Sequence, residues 1–290
     1  PDLIYTILGD INLMLLIKEI HQTTKKPLVI HLMDNILANY SQKSQEYKLL
    51  KYFIKSSKER LAINKKMADE YRKKFNLPFK IIHNGVSRKK IDKVKKNTKF
   101  KTILYIGSIY KKAQLESLVS ISYAVKNMNL VKKKIRFLIY LPDNQKRMFE
   151  RKFPKGYQIE IHKHNLNDNQ YFSLISRSDI LILAANFDKE SINYYKLSWP
   201  AKMASYLMSK IPIFIYGPED IFFIEEAKRK GWAFVQTEKN IQKLEKSLYQ
   251  LLLDEKLRKD IINKAFKESK NFNIDKIRIN FKNILIKVVK

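Results

Sequence analysis

Cysteine is absent from the 290-residue sequence. Without thiols the chain has no disulfides, no cysteine zinc ligands and no thiol nucleophile, so its chemistry must use other groups. Glycine is scarce, with six residues, and neither a dinucleotide-binding fingerprint nor a P-loop sequence occurs. No apolar run approaches the roughly 18 residues of a spanning helix, because Gly9 and Asp10 interrupt the stretch from Leu3 to Ile17. We therefore expect no transmembrane anchor.

Acidic residues are few. Asp and Glu total 28 against 58 Lys and Arg, which gives a formal net charge of +30. This excess makes nucleic acid, phosphoglycans, nucleotides and anionic lipid all candidate partners. The hydrophobic fraction of 45% is enough for a folded core, and at roughly 150 residues per domain the length predicts two domains.

Apolar strands alternate with helical segments along the chain. Strands are predicted at 3–8, 28–32, 60–64, 80–83, 102–106, 135–141, 158–162, 180–184 and 211–216, and helices at 13–21, 47–54, 66–75, 115–128, 169–176, 201–210, 244–253, 256–270 and 275–290. This alternation is typical of parallel sheets covered on both faces. The polar, Lys-rich stretch 86–101 predicts a domain boundary near Lys96. We predict domains at 1–95 and 96–270, followed by a helix at 271–290, with the first domain lacking its opening strands.

The stretch 104–112 combines a strand, one glycine and a basic turn before a helix. A glycine at position 107 lets backbone amides approach an anion, and Lys111 or Lys112 adds positive charge. This pattern favours a phosphate site as much as an ordinary tight turn, since a single glycine is a weak signal.

A second candidate segment covers residues 196–212. Pro200 suits the first turn of a helix and Ser198 its cap, while Lys202 and Ser205 fall on one helix face. The free amides at such a helix start favour a bound diphosphate. The alternative is a capped helix that packs its apolar side chains in the core, and the two are compatible.

Five segments in order along the chain resemble one enzyme family. They read PLVIHLMDN at 27–35, IIHNGV at 81–86, YIG at 105–107, SDILI at 178–182 and S-x-P-x-K-x-x-x-Y-L from Ser198. In this order the sequence resembles retaining, family-4-like glycosyltransferases of the GT-B fold. The resemblance implies an α/β protein in which two Rossmann-like parallel-sheet domains face a cleft and a C-terminal helix packs back toward the first domain.

The same resemblance implies transfer of a hexose from a UDP- or GDP-linked donor to a glycan or lipid-linked acceptor, with retention of configuration. It implies no cofactor and no metal, and the sequence has no Asp-x-Asp pair. The catalytic candidates are His31, Lys112 and Lys202, and the donor-binding candidates are Gly107, Ser108, Lys111, Asn186, Glu190, Ser198, Pro200 and Ser205. Lysines would stabilise the departing diphosphate, and the leaving phosphate itself would accept the proton of the acceptor.

Three residues are candidates for the acceptor side. His31 ends a predicted buried strand where the cleft should open, so it is a candidate sugar contact, although a structural histidine fits equally well. Asp34 follows it in the same loop, with loop capping as its alternative role. Asn84 lies in the Asn-Gly-Val element. His162 and His164 are expected to be surface or loop residues.

The sequence departs from the family at its usual glutamates. Leu197 and Ser205 occupy the two positions, so a ribose-binding carboxylate would have to come from Glu190 or Asp188. This departure keeps a second hypothesis open, a noncatalytic GT-B-like binding or partner subunit.

The basic surface has three interpretations. The helices at 66–75 and 275–290 favour contact with anionic lipid, a solvated lysine coat is the next alternative, and nucleic-acid binding is third because no nucleic-acid module is recognised. We expect a cytoplasmic protein, peripheral on the inner face of the plasma membrane, with a role in cell-envelope polysaccharide synthesis.

Overall fold

A computed structural model describes residues 1–87, 99–132 and 134–290. The chain divides into two compact units, each discontinuous in sequence. Unit 1 comprises Pro1–Ser87, Lys196–Ala201 and Phe272–Lys290, and unit 2 comprises Arg88–Tyr195 and Lys202–Asn271. The predicted boundary near Lys96 lies outside the described residues.

Unit 1 begins with four strands and four helices. In chain order they are β1 (Ile4–Ile7), α1 (Ile11–Thr24), β2 (Leu28–Leu32), α2 (Ile36–Asn39), α3 (Gln45–Ser56), β3 (Glu59–Ala62), α4 (Lys65–Phe75) and β4 (Lys80–Ile81). The strands form one parallel sheet in the order β1-β2-β3-β4. Side-chain caps begin α1 and α4, since Asp10 accepts from the Leu13 N–H and Asn64 from the Met67 N–H, each at 2.9 Å.

The described part of unit 2 contains six strands and eight α-helices. They are β5 (Lys101–Ile106), α5 (Leu115–Lys132), β6 (Ile135–Leu141), α6 (Asp143–Phe149), β7 (Ile159–Lys163), α7 (Asp168–Ser176), β8 (Ile180–Ala184), α8 (Lys189–Tyr195), α9 (Met203–Met208), β9 (Ile213–Tyr216), α10 (Phe222–Lys230), β10 (Phe234–Gln236), α11 (Ile241–Leu253) and α12 (Glu255–Ser269). All six strands are parallel, in the order β10-β9-β8-β5-β6-β7. Strands β5, β6 and β7 follow one another toward one edge of the sheet, and β8, β9 and β10 follow one another toward the other edge. This is the doubly wound order of nucleotide-binding folds.

The last helix, α13 (Ile274–Val289), belongs to unit 1. Its Ile284 and Val288 form a buried cluster with Val29, Leu61 and Ile82 of the sheet. Helix α13 thus covers one face of that sheet and completes the core of unit 1.

The prediction of alternating strands and helices around parallel sheets is confirmed, with local differences. The sequence reading missed α2, α6, α8, α10 and β10, which are short elements without a long periodic pattern. The predicted helix at 201–210 also starts two residues before the observed α9. That helix starts at Met203, its N-cap is Lys202, and no side chain caps it, so Ser198 does not have the predicted capping role. Among the described residues, every helix is either too short or too polar to cross a membrane.

Candidate functional site

The sheet of unit 2 has one topological switch point, between β5 and β8. Ligands of doubly wound sheets bind outside the carboxyl ends of the two strands where the winding direction reverses. Gly107 directly follows β5, and the loop containing Asn186 follows β8. The fold therefore places these two predicted residues at the position where a ligand is expected.

Gly107 adopts a conformation that side chains disfavour, with φ +128°. Its N–H donates to the Tyr140 carbonyl at 3.0 Å, which fixes the turn to β6. A Cβ atom at position 107 would lie 2.8 Å from the Lys202 Nζ, too close for the present arrangement. The missing side chain therefore makes room for the Lys202 ammonium at the end of β5.

Lys202 is a half-buried cation without a carboxylate partner in the described part of the chain. Burial alone lowers the pKa of its ammonium group to about 7. Its Nζ lies 3.9 Å from the centroid of the Tyr105 ring, a cation–π contact. Its backbone carbonyl accepts from the Ser205 Oγ at 2.8 Å and from the Tyr206 N–H at 3.0 Å. The backbone is thus fixed while the charge has no counter-ion among the residues that the structure describes, and an anionic ligand would supply one.

The turn after Gly107 is tied down by hydrogen bonds. The Tyr105 hydroxyl donates to the Ser108 carbonyl at 2.6 Å. The Ile109 N–H donates to the Gln145 side chain at 2.7 Å, and the Tyr110 N–H donates to the Gln114 side chain at 2.8 Å. The turn therefore differs from the predicted open cradle of backbone amides, and the positive charge beside it comes from Lys202.

Similar solved structures share this architecture across nearly the whole chain. Sucrose-phosphate synthase from Thermosynechococcus elongatus is 9% identical, with a TM-score of 0.70 over 99% of this chain and 73% of that chain. HepE of Anabaena, solved with UDP and glucose, is 11% identical, with a TM-score of 0.74 over 99% and 78%. A glycosyltransferase from Rickettsia africae is 14% identical, with a TM-score of 0.65 over 97% and 81%. The chain has the GT-B fold. No protein-family model and no curated protein sequence matches it.

The GT-B fold brings a second group of predicted residues to the switch point. The exposed Lys112 and Glu190 side chains form an ion pair with a 2.5 Å N···O distance, which raises the pKa of Lys112. Asn186 is buried, and its side chain donates to the Lys111 carbonyl at 2.8 Å and accepts from the Ser117 N–H at 3.2 Å. Asn186 therefore holds the loops after β5 and β8 together. The side chains of Lys112 and Glu190 are exposed to solvent on the outside of these loops.

Sequence analysis missed part of the surroundings of Lys202. The Tyr171 and Ser205 hydroxyls are hydrogen-bonded at 2.8 Å, and the Tyr171 ring stacks on His164 with 6.5 Å between centroids. Burial, and then the charge of Lys202, lower the pKa of His164. His164 lies in the loop after β7, as expected, and its half-buried ring also lies beside the predicted donor site.

Ser198 and Pro200 are both buried in the segment Lys196–Ala201 of unit 1. Trp199 between them stacks on Phe272, with 5.6 Å between centroids. The buried Asn64 side chain donates to the Leu197 carbonyl at 2.7 Å. The segment that precedes Lys202 in the chain is thus anchored in the core of unit 1.

His31 has internal partners on both ring nitrogens. Because a carbonyl only accepts, Nε2 carries the proton and donates to the Ile82 carbonyl at 3.1 Å, and Nδ1 accepts from the Tyr5 hydroxyl at 2.9 Å. Burial lowers the pKa of His31 to about 4. This arrangement favours the structural alternative over the predicted catalytic role, since neither nitrogen is left for a substrate.

The two remaining acceptor-side candidates lie in loops of unit 1. Asp34 follows β2, and its carbonyl accepts from the Ile36 N–H at 2.9 Å. Asn84 follows β4 and is half-buried. Among the described residues, no group of three or more His, Asp or Glu side chains is arranged to hold a metal ion.

Proposed function

We propose that the chain is a glycosyltransferase that takes a hexose from a UDP- or GDP-linked donor. The observation that carries this proposal is the Lys202 cation, which has no carboxylate partner among the described residues and lies beside Gly107 at the switch point of a doubly wound sheet. A nucleotide diphosphate would supply the negative counter-charge for this cation. In such a sheet a nucleotide binds at the carboxyl ends of the strands at the switch point, here β5 and β8. The similarity to HepE solved with UDP and glucose is consistent with this ligand class.

The proposed reaction breaks the bond between the anomeric carbon and the β-phosphate. Negative charge then grows on the departing diphosphate, and Lys202 neutralises it in a desolvated position where the interaction is strong. We propose attack by the acceptor hydroxyl from the same face, with retention, and transfer of its proton to the leaving phosphate. This scheme needs no enzymic nucleophile and assigns the leaving-group charge to lysine in place of a metal ion.

We assign the other donor contacts by their positions in the chain. Ser108, Lys111 and Lys112 are assigned to the phosphates because they follow Gly107 in the chain. Glu190 is assigned to the ribose, and it must first separate from Lys112, to which it is now paired. Solvent screens an exposed ion pair of this kind, so a ligand can separate it.

A glycan or lipid-linked molecule is the proposed acceptor, with Asp34 and Asn84 on its side of the site. Ser205 of unit 2 keeps its predicted donor-side assignment, and the assignment of Ser198 and Pro200, which are buried in unit 1, stays a prediction. We place the reaction on the cytoplasmic side of the plasma membrane, where such acceptors and nucleotide-sugars are both accessible.

Titration calorimetry with UDP and GDP, followed by a donor-hydrolysis assay, tests the proposal. Replacing the charge with an isosteric apolar chain in Lys202→Met should weaken nucleotide binding at least tenfold, because it removes a charge-assisted contact. Lys210→Met is the matched control, since Lys210 is an exposed lysine of the same sequence segment and contacts the Phe266 ring. Unchanged turnover in excess EDTA is the expected result for metal independence. Failure of the parent protein to bind any nucleotide would contradict the assignment.

A noncatalytic GT-B-like binding subunit is the second candidate function. It is favoured by the absence of the family's two glutamates, because Leu197 is buried and Ser205 is hydrogen-bonded to Tyr171. This candidate predicts nucleotide binding that depends on Lys202 without hydrolysis or transfer from any donor. Detectable transfer would exclude it.

A further inference from the structure

Helix α13 has two apolar faces. Its inner face carries Ile284 and Val288, which are 6% and 1% exposed and pack on the sheet of unit 1. Its outer face carries Ile279, Ile286 and Val289, whose exposed fractions are 62%, 41% and 48%. The inner face alone accounts for packing against the protein, so the fold does not require the outer aliphatic side chains.

The exposed aliphatic side chains lie on one side of the helix, with the exposed Lys282 and Asn283 between Ile279 and Ile286. Ile279 and Ile286 are seven residues apart, which places them on one side of an α-helix, and Val289 follows Ile286 by three residues. The helix has 16 residues and is about 24 Å long. We call these three residues the aliphatic ridge.

Positive charges surround the aliphatic ridge, and Lys282 lies between Ile279 and Ile286. The exposed cations of this segment are Lys276, Arg278, Lys282, Lys287 and Lys290, and its one acidic residue is Asp275 in the first turn. Helix α12 differs, because its Lys264 pairs with Asp260 one turn away. None of the five cations of α13 forms an ion pair with a described carboxylate.

We propose that the outer face of α13 docks on an anionic lipid bilayer, with the aliphatic ridge entering the interface and the five cations contacting the headgroups. A helix that lies in a bilayer interface needs apolar side chains along one stripe and cations beside it. Nucleic acid would satisfy the cations but leave the ridge without an apolar environment. A second copy of this helix would oppose five cations to five.

Comparison with α4 supports the choice of α13. Both helices are basic, and the sequence makes both candidates for lipid contact. The exposed side chains of α4 are charged, including Lys65, Lys73 and Lys74, and none of its large apolar residues is exposed. A polar helix of this kind is a solvated surface, so of these two basic helices α13 combines both requirements.

Vesicle flotation of the full chain, without nucleotide, tests the proposal independently of the glycosyltransferase assignment. The parent protein should float with vesicles in which about a third of the lipid is phosphatidylglycerol and remain unbound with phosphatidylcholine alone. Ile279→Ser with Ile286→Ser should weaken binding at least tenfold, because the apolar contribution is lost. Lys282→Gln with Lys287→Gln should weaken it about 25-fold, at roughly fivefold for each cation.

Lys73→Gln with Lys74→Gln on α4 is the matched control, since it removes the same charge from another helix of the same unit. It should change binding less than about threefold. As a second readout, Ile279→Trp should shift its fluorescence to the blue with anionic vesicles only, which reports insertion without removing an apolar group. Equal loss in the α4 control, full binding by the ridge variant, or tighter binding to duplex DNA than to the vesicles would overturn the proposal.

Discussion

Raising the pH from about 7 to about 8.5 should weaken UDP binding about 15-fold, because the ammonium group of Lys202 loses its proton over this range. Burial lowers the pKa of Lys202 to about 7. About half of the free protein then carries the charge at pH 7, and about 3% carries it at pH 8.5. The phosphate groups of the nucleotide are already ionised at pH 7, since the second pKa of a phosphate monoester is about 6. The change in affinity therefore reports the protein cation.

Titration calorimetry at the two pH values measures this effect directly. Repeating the titrations in two buffers of different ionisation enthalpy should also reveal proton uptake on binding at pH 8.5. Lys202→Arg is the informative variant, because a guanidinium keeps its charge throughout this range. Its affinity should be the same at both pH values. Equal affinities of the parent protein at pH 7 and 8.5, with binding still dependent on Lys202, would refute the reasoning from desolvation.

Three further predictions concern stability and can be checked by urea unfolding. Gly107→Ala should lower the free energy of unfolding by about 1–3 kcal/mol, because φ is +128° and the new Cβ would displace the Lys202 amine; Gly9→Ala, with open space around it, should change it by less than about 0.5 kcal/mol. Burial lowers the pKa of His31 to about 4, so below pH 6.5 the unfolded state binds more protons than the folded state. Lowering the pH from about 7 to about 4.5 should therefore reduce the free energy of unfolding of the parent by about 2 kcal/mol more than that of His31→Gln. Equal reductions would contradict a buried neutral ring. Asn64→Ala should cost about 2–4 kcal/mol, because it removes a helix cap and leaves a buried carbonyl without its donor; a loss below about 1 kcal/mol would show that water replaces the side chain.

Strands buried on both faces could be located from the sequence alone. The bounds predicted for β2, β6 and β8 agree with the structure residue by residue, because a parallel strand covered by helices is a continuous apolar run. The three residues of β10 could not be found this way. A strand of that length has no period, and its pairing with β9 is a tertiary property.

The candidate site was predictable only in part. Gly107 and Lys202 were identified because a strand-ending glycine and a lysine in a helix-start segment have local sequence signals. The surroundings of Lys202 have no local sequence signal, because the position of His164 beside it depends on how β7 and α7 pack. His31 could not be assigned for the same reason: its partners Tyr5 and Ile82 are 26 and 51 residues away in the chain.

The discontinuity of unit 1 also orders events during synthesis. The sheet face formed by Val29, Leu61 and Ile82 receives its cover from α13, which follows some 185 residues after Ser87. At about 5–20 residues per second, a ribosome needs about 10–40 s to make that stretch. Throughout this interval the side chains that α13 later covers have no helix over them. Unit 2 ends at Asn271, just before α13 is synthesised. It can therefore fold before unit 1, whose core needs α13.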